Sequence, residues 1–197
     1  MIKVVIFDIG GVTINDPMKR VYTAVGQRAE VSWKRVRTAF DKLKPLIETG
    51  KISPTTFWMR LSKMFGVKAS YIESDWLKSF KKTVKLNKDV VKIINKVKAD
   101  GYKVVTLSNT MSVHERLHRK LGHYKFFSNV FLSNRMKMEK PDVRIYRLVA
   151  ARLDVKPEEC VFIDDKVRNV IGARKTGMKA IVFKNSAKLE KDLKKYL

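Results

Sequence analysis

The chain has 197 residues, of which 45% are hydrophobic and 31% charged. That composition fits one globular core domain with a small insertion and excludes a disordered or fibrous chain. It carries 43 Lys+Arg against 19 Asp+Glu, a formal charge of +24; such a field attracts anions, whether a small phosphorylated substrate, a nucleotide or nucleic acid, or acidic lipid, and it is equally read as a lysine-rich surface with no specific partner. The single cysteine, Cys160, excludes an internal disulfide and a cysteine-rich zinc site. No apolar run approaches a membrane span, and Met1-Ile2-Lys3-Val4 lacks a signal-peptide layout, so a cytoplasmic protein with no membrane partner is expected. Oligomeric state is not written in these features.

Val4-Val5-Ile6-Phe7 is the first of five short apolar runs that read as buried strands. Residues 17–85 then break the pattern. They hold helical periodicity and no strand candidate, with Asp16-Pro17 as a turn at one border, Lys85–Asn87 at the other, and Ser53-Pro54 as N-cap and first residue of a helix running to Phe65. Sixteen basic and five acidic side chains lie in this segment. Its aromatic residues Trp33, Phe40, Phe57, Trp58, Phe65, Trp76 and Phe80 fall at helical spacings and are expected to form its core. Glu48-Thr49-Gly50-Lys51 reads as a loop between two of its helices, overhanging the site. Beyond it, apolar Val90, Val91, Ile93, Ile94 and Val97 predict a helix between an Asn87 N-cap and a Gly101 stop.

Val104–Leu107 predicts the second strand, followed by Ser112-Val113-His114-Glu115 with capping-box spacing for a helix ending at Gly122. Val130–Leu132, Val161–Ile163 and Ala180–Phe183 predict the remaining strands. Strands alternating with helices imply right-handed crossovers, hence an α/β fold: a Rossmann-like parallel sheet core over residues 1–16 and 86–197, with a helical insertion at 17–85.

Sites in open parallel sheets form outside the carboxyl ends of the strands. Those ends read Asp8, then Ser108-Asn109, then Asp164-Asp165, with Lys140 in the loop after the third strand. Gly10-Gly11 follows Asp8 and lets backbone approach a ligand closely. Adjacent carboxylates at 164 and 165 repel each other unless a divalent cation lies between them.

Four segments in this order resemble the motifs of the haloacid dehalogenase (HAD) superfamily: Val4–Val12 around Asp8, Leu107-Ser108-Asn109-Thr110, Lys140-Pro141-Asp142 with Arg144-Ile145-Tyr146, and Val161–Asp165 continuing through Asn169 to Gly177. The segment 17–85 is similar to that superfamily's C1-type helical cap, in the branch of small sugar-phosphate phosphatases such as α-glucose-1-phosphatase. The resemblance implies a Mg²⁺-dependent phosphatase in which Asp8 attacks phosphorus and carries an aspartyl-phosphate. It implies further that Ser108, Asn109 and Lys140 bind the phosphoryl group, and that Asp8, the Gly10 carbonyl, Asp164 and Asp165 hold Mg²⁺. Charge supports the cation, because one ammonium cannot balance three carboxylates and a phosphate dianion.

One position departs from that pattern. Two residues after the nucleophile most such phosphatases place an Asp, which protonates the leaving group and then activates water; here it is Gly10. General acid–base help is worth about 10²–10⁴-fold, so a steep fall in rate with leaving-group basicity is expected. Asp16 is a candidate replacement by sequence proximity only. Two other readings stay open: an anion- or nucleic-acid-binding protein with weak or no turnover, and a 2-haloacid dehalogenase-type hydrolase. His114 and His118, four residues apart on a helix, lack an evident third metal ligand and read as core, as does Cys160.

Overall fold

The structure is a computed structural model that describes residues 1–197. Five parallel strands form one sheet: β1 (Val4–Phe7), β2 (Lys103–Ser108), β3 (Asn129–Leu132), β4 (Cys160–Asp164) and β5 (Lys179–Val182). Their order is β3-β2-β1-β4-β5. Phe183 falls outside β5, although its N–H still donates to the Asp164 carbonyl at 2.9 Å. The helices are α1 (Met18–Arg28), α2 (Trp33–Glu48), α3 (Pro54–Phe65), α4 (Ala69–Thr83), α5 (Lys88–Ala99), α6 (Ser112–Lys120), α7 (Ser133–Met136), α8 (Val143–Arg152), α9 (Val167–Arg174) and α10 (Ser186–Leu193). None of them is long and apolar enough to cross a membrane.

The sheet is covered on both faces, which is why its strands are apolar throughout rather than alternating. Along β1, Val5 and Phe7 enter one hydrophobic cluster with α5, while Val4 and Ile6 enter a second with α8 and α9. β1 pairs with β2 on one side and β4 on the other, so the chain reverses its lateral direction between them. Asp8 and Asp164 are brought together there, at the crevice where such sheets bind ligands.

Helices α1–α4 pack on one another around Trp76. Its ring centroid lies 5.2–5.9 Å from those of Tyr22, Phe40, Phe57 and Trp58. Its indole N–H donates to His114 Nε2 at 2.8 Å, joining this layer to α6. Ser53 caps α3 through the Thr56 N–H and Asn87 caps α5 through the Val90 N–H, as their spacing predicts. Trp33 and Phe65 are only half-buried, at the edge of the layer rather than in its centre.

Two local readings are corrected. Ser112 is the first residue of α6 rather than its cap, and Met111 occupies the cap position with no side-chain bond. The Glu115 carboxylate turns instead to Arg119 at 3.1 Å and Asn134 at 2.9 Å, with Arg135 closing on it as well. A buried carboxylate gains more from two guanidinium groups than from one backbone N–H. Glu48 closes α2 rather than opening a loop.

Candidate active site

Each site residue leaves the sheet at the same edge. Asp8 follows β1 directly, its N–H donating to the Ile163 carbonyl at 2.9 Å, while the Thr13 hydroxyl donates to its carbonyl at 2.8 Å. The Ile9–Ile14 segment closes on itself, with the Ile14 and Gly11 N–H groups each bonding across the turn at 2.9 Å. Gly11 has φ +80°, and a Cβ there would stand 2.5 Å from Asp165 Oδ2; only glycine lets the two loops meet so closely. Gly10 is different, with open space where its Cβ would be.

Lys140 is the centre of the arrangement, its side chain 1% exposed. Its ammonium reaches Asp8 Oδ1 at 2.9 Å, Asp164 Oδ2 at 2.6 Å and the Leu107 carbonyl at 2.9 Å. Three donors meet three acceptors, so the ammonium orients Asp8 and has no N–H left over. Asn109 holds the Lys140 backbone at both ends: its amide N–H donates to the Lys140 carbonyl and its oxygen accepts from the Lys140 N–H, both at 2.9 Å. The Asn109 side chain is thereby committed, and only its backbone remains for an anion. Ser108 is buried at the end of β2 beside it.

The two neighbouring carboxylates behave differently. Asp164 is fully buried, accepting from the Asn169 amide at 2.9 and 3.0 Å, from the Lys166 N–H at 2.8 Å and from Lys140. Burial opposes its ionisation, but Lys140 and these hydrogen bonds outweigh burial and hold it below the usual carboxylate range. Asp165 is half-buried; desolvation pushes it up, and its Oδ1 is buried with no hydrogen-bond partner. Desolvation also raises Asp8, against the pull of Lys140 and with the charge of Asp164 adding to the rise. Lys140 is raised by the two carboxylates in spite of its burial.

Asp8, Asp164 and Asp165 can each present one oxygen within 4.8 Å of the others. An all-oxygen donor set with one orphaned, buried carboxylate oxygen fits a hard divalent cation.

Above these groups lies a cavity of about 710 Å³ whose far wall is helical. Arg37, Phe40, Asp41, Lys44, Pro45 and Glu48 all line it. Their spacing of three and four residues places them on one face of α2. Asp16 borders it too, but its Oδ1 accepts the Met18 N–H at 2.9 Å, as expected of the turn before α1. His114 and His118 line it with ring nitrogens committed to Trp76 and to His123. Cys160 is buried in the first position of β4. Sequence reasoning missed the commitment of Asn109 to Lys140 and the burial of Glu48. Both depend on contacts between residues more than 30 positions apart, and no local pattern signals them.

Residues 2–177 match the haloacid dehalogenase-like hydrolases, and the chain belongs to that family. It is similar to a sesquiterpene phosphatase of Aspergillus oryzae, 28% identical over 183 residues covering 89% of this chain and 87% of that protein. It is also similar to a glyceraldehyde 3-phosphate phosphatase of Methanopyrus kandleri, 34% identical over 93 residues; that match spans 46% of this chain and 40% of the relative. A HAD family enzyme from Bacteroides thetaiotaomicron, solved with magnesium and inorganic phosphate, superposes with a TM-score of 0.78 at 25% identity, over 93% of this chain and 95% of that one. A HAD-like hydrolase from Porphyromonas gingivalis gives 0.79 at 25% identity over the whole of both chains. Within the family the chain is an enzyme of the phosphatase kind.

Proposed function

We propose that the enzyme hydrolyses small phosphate monoesters, sugar phosphates or compounds of similar size, with Mg²⁺ and through an aspartyl-phosphate on Asp8. The interlocked Asp8–Lys140–Asp164 group at the floor of the cavity carries this reading. Lys140 holds Asp8 in one orientation, so the carboxylate oxygen not bonded to the ammonium is free to attack phosphorus in line with the leaving group. The Ser108 hydroxyl and the backbone N–H groups that follow it bind the phosphoryl oxygens.

Asp8, the Gly10 carbonyl, Asp164 and Asp165 would hold the cation, with Asp165 the more open of the adjacent pair. Bound there, Mg²⁺ supplies positive charge against carboxylates and phosphate together. Residues 17–85 act as a cap over the core at 1–16 and 86–197, excluding water and selecting the leaving group by the face of α2.

The test is phosphate release from aryl, anomeric-sugar, primary-alcohol and nucleotide esters, with Mg²⁺ or EDTA, for the natural protein and Asp8→Asn. Turnover that requires Mg²⁺ and falls at least about 10³-fold in the variant is expected. No release from any ester by the folded protein overturns the reading.

A further inference from the structure

Glycine at position 10 cannot supply a proton, so the leaving group must draw one from elsewhere in the cavity. Its far wall carries the carboxyl groups of Asp41 and Glu48, and Asp16 and Glu139 stand at its sides. Asp41 is exposed and pairs with Arg37 at 3.5 Å, and Asp16 is spent on the turn before α1. His114 and His118 are held down to about 3 by burial, so neither imidazole carries a second proton near neutrality.

Glu48 differs from all of these. Its side chain is 10% exposed, and its Oε2 is buried without a hydrogen-bond partner. The nearest cation, Lys44 Nζ, is 3.9 Å away, beyond hydrogen-bonding distance.

The backbone at Glu48 is anchored to the phosphoryl-binding side of the site. Its carbonyl accepts the Ser133 hydroxyl at 2.6 Å, and the same hydroxyl oxygen accepts the Thr110 N–H at 2.9 Å. Thr110 is two residues beyond Ser108. Gly50 packs against the α7 segment, where a Cβ would stand 2.9 Å from the Asn134 carbonyl oxygen. One buried hydroxyl therefore fixes the end of α2 relative to the loop that holds Ser108.

We propose that Glu48 is the general acid and base of this active site, delivering across the cavity the proton that glycine at position 10 cannot. The assignment rests on the phosphatase reading above. In the first step an Asp8 oxygen forms a bond to phosphorus and the ester P–O bond breaks. The electron pair stays on the departing oxygen, which takes the Glu48 proton and leaves as an alcohol. In the second step the Glu48 carboxylate takes a proton from water as that oxygen bonds to phosphorus. The P–O bond to Asp8 breaks, its pair returns to the Asp8 carboxylate, phosphate departs, and Glu48 is protonated again.

The environment suits both halves. Burial raises the Glu48 carboxyl to about 7, with Glu139 adding to the rise and Lys44, Lys166 and Lys140 opposing it; Tyr22 and Asp41 complete the wall around it. A group that holds and releases a proton near neutrality can serve as acid and then as base.

Glu48→Gln, nearly isosteric, is the test, assayed beside Asp8→Asn on aryl and primary-alcohol phosphates. Turnover of the alcohol ester is expected to fall about 10²-fold or more, because both steps lose their proton carrier; the aryl ester, whose leaving group needs little protonation, keeps a rapid first-turnover burst of the phenol and loses steady-state turnover through the second step. The dependence of the first-turnover rate on leaving-group basicity is then shallow in the natural protein and steep in the variant. The fall in alcohol-ester turnover above about pH 7 in the natural protein disappears with Glu48. Equal losses of the first-turnover rate on both esters, or undiminished alcohol-ester turnover, overturn the assignment to Glu48. Aryl turnover that survives Asp8→Asn overturns the aspartyl-phosphate mechanism on which the assignment rests, and an unchanged circular-dichroism spectrum shows that Glu48→Gln is folded.

Discussion

Asp164 in the floor of the cavity and Glu48 in its roof are both buried carboxyl groups, yet they are driven in opposite directions. Asp164 sits among an ammonium, an amide and a backbone N–H, and stays ionised against its burial. Glu48 has a lysine 3.9 Å away and an oxygen without a partner, and burial wins. Depth alone therefore does not decide charge; the number of donors within reach does. The floor is wired to hold negative charge in one place, and the roof keeps a group whose proton can move.

Removing the ammonium from the floor should have the largest effect. Lys140→Met leaves Asp8 and Asp164 buried and facing each other, and a loss of about 3–5 kcal/mol is expected in urea unfolding without metal. A loss below about 1 kcal/mol would erase the distinction between floor and roof. Next comes the pH dependence contributed by the roof. The Glu48 carboxyl is raised in the folded state, from 4.5 to about 7, so between these values the native protein holds a proton that the unfolded chain has released. Stability contributed by this group is present at low pH and lost as pH rises through that window, on the order of 3 kcal/mol. Denaturant midpoints compared at pH 5 and pH 8 should show a smaller difference in Glu48→Gln than in the natural protein. The smallest effect comes from moving the proton donor to the floor. Space is open at the Gly10 Cβ, so adding Gly10→Asp to Glu48→Gln should recover about tenfold in alcohol-ester turnover, equivalent to about 1.4 kcal/mol of barrier. No recovery would mean that the floor cannot present an acid to the leaving group.

The floor was largely legible in the sequence and the roof was not. Strands buried on both faces leave continuous β-branched runs, and the residues just past their ends, Asp8, Ser108 and Asp164, follow from position alone. Their convergence needs only the parallel order of β2, β1 and β4. Residues 17–85 announce helices and an aromatic core through periodicity. That periodicity places Glu48 on the same face as Lys44 but says nothing of the Ser133 hydroxyl that anchors it from 85 positions away. Asn109 reads as an anion ligand because it follows Ser108. What the sequence does not signal is that its side chain is taken by the Lys140 backbone, 31 positions distant. The Ser112–Glu115 spacing misled because burial gave Glu115 a stronger claim on arginine.

The chain enters the layer of α1–α4 at Asn15 and leaves it at Lys85, 70 positions later, and the two points touch. The Asn15 side chain accepts the Lys85 N–H at 2.6 Å and donates to the Thr83 carbonyl at 3.0 Å, while the Asn87 N–H reaches back to the Thr13 carbonyl at 2.9 Å. To the sheet, everything between those residues is a short loop, since closing a longer one adds only about 0.6 kcal/mol for each doubling. In loop-closure entropy alone, then, the length of the helical layer above the cavity costs the strands beneath it little; what ties the layer down is the Trp76–His114 bond and the Ser133 hydroxyl on the Glu48 carbonyl.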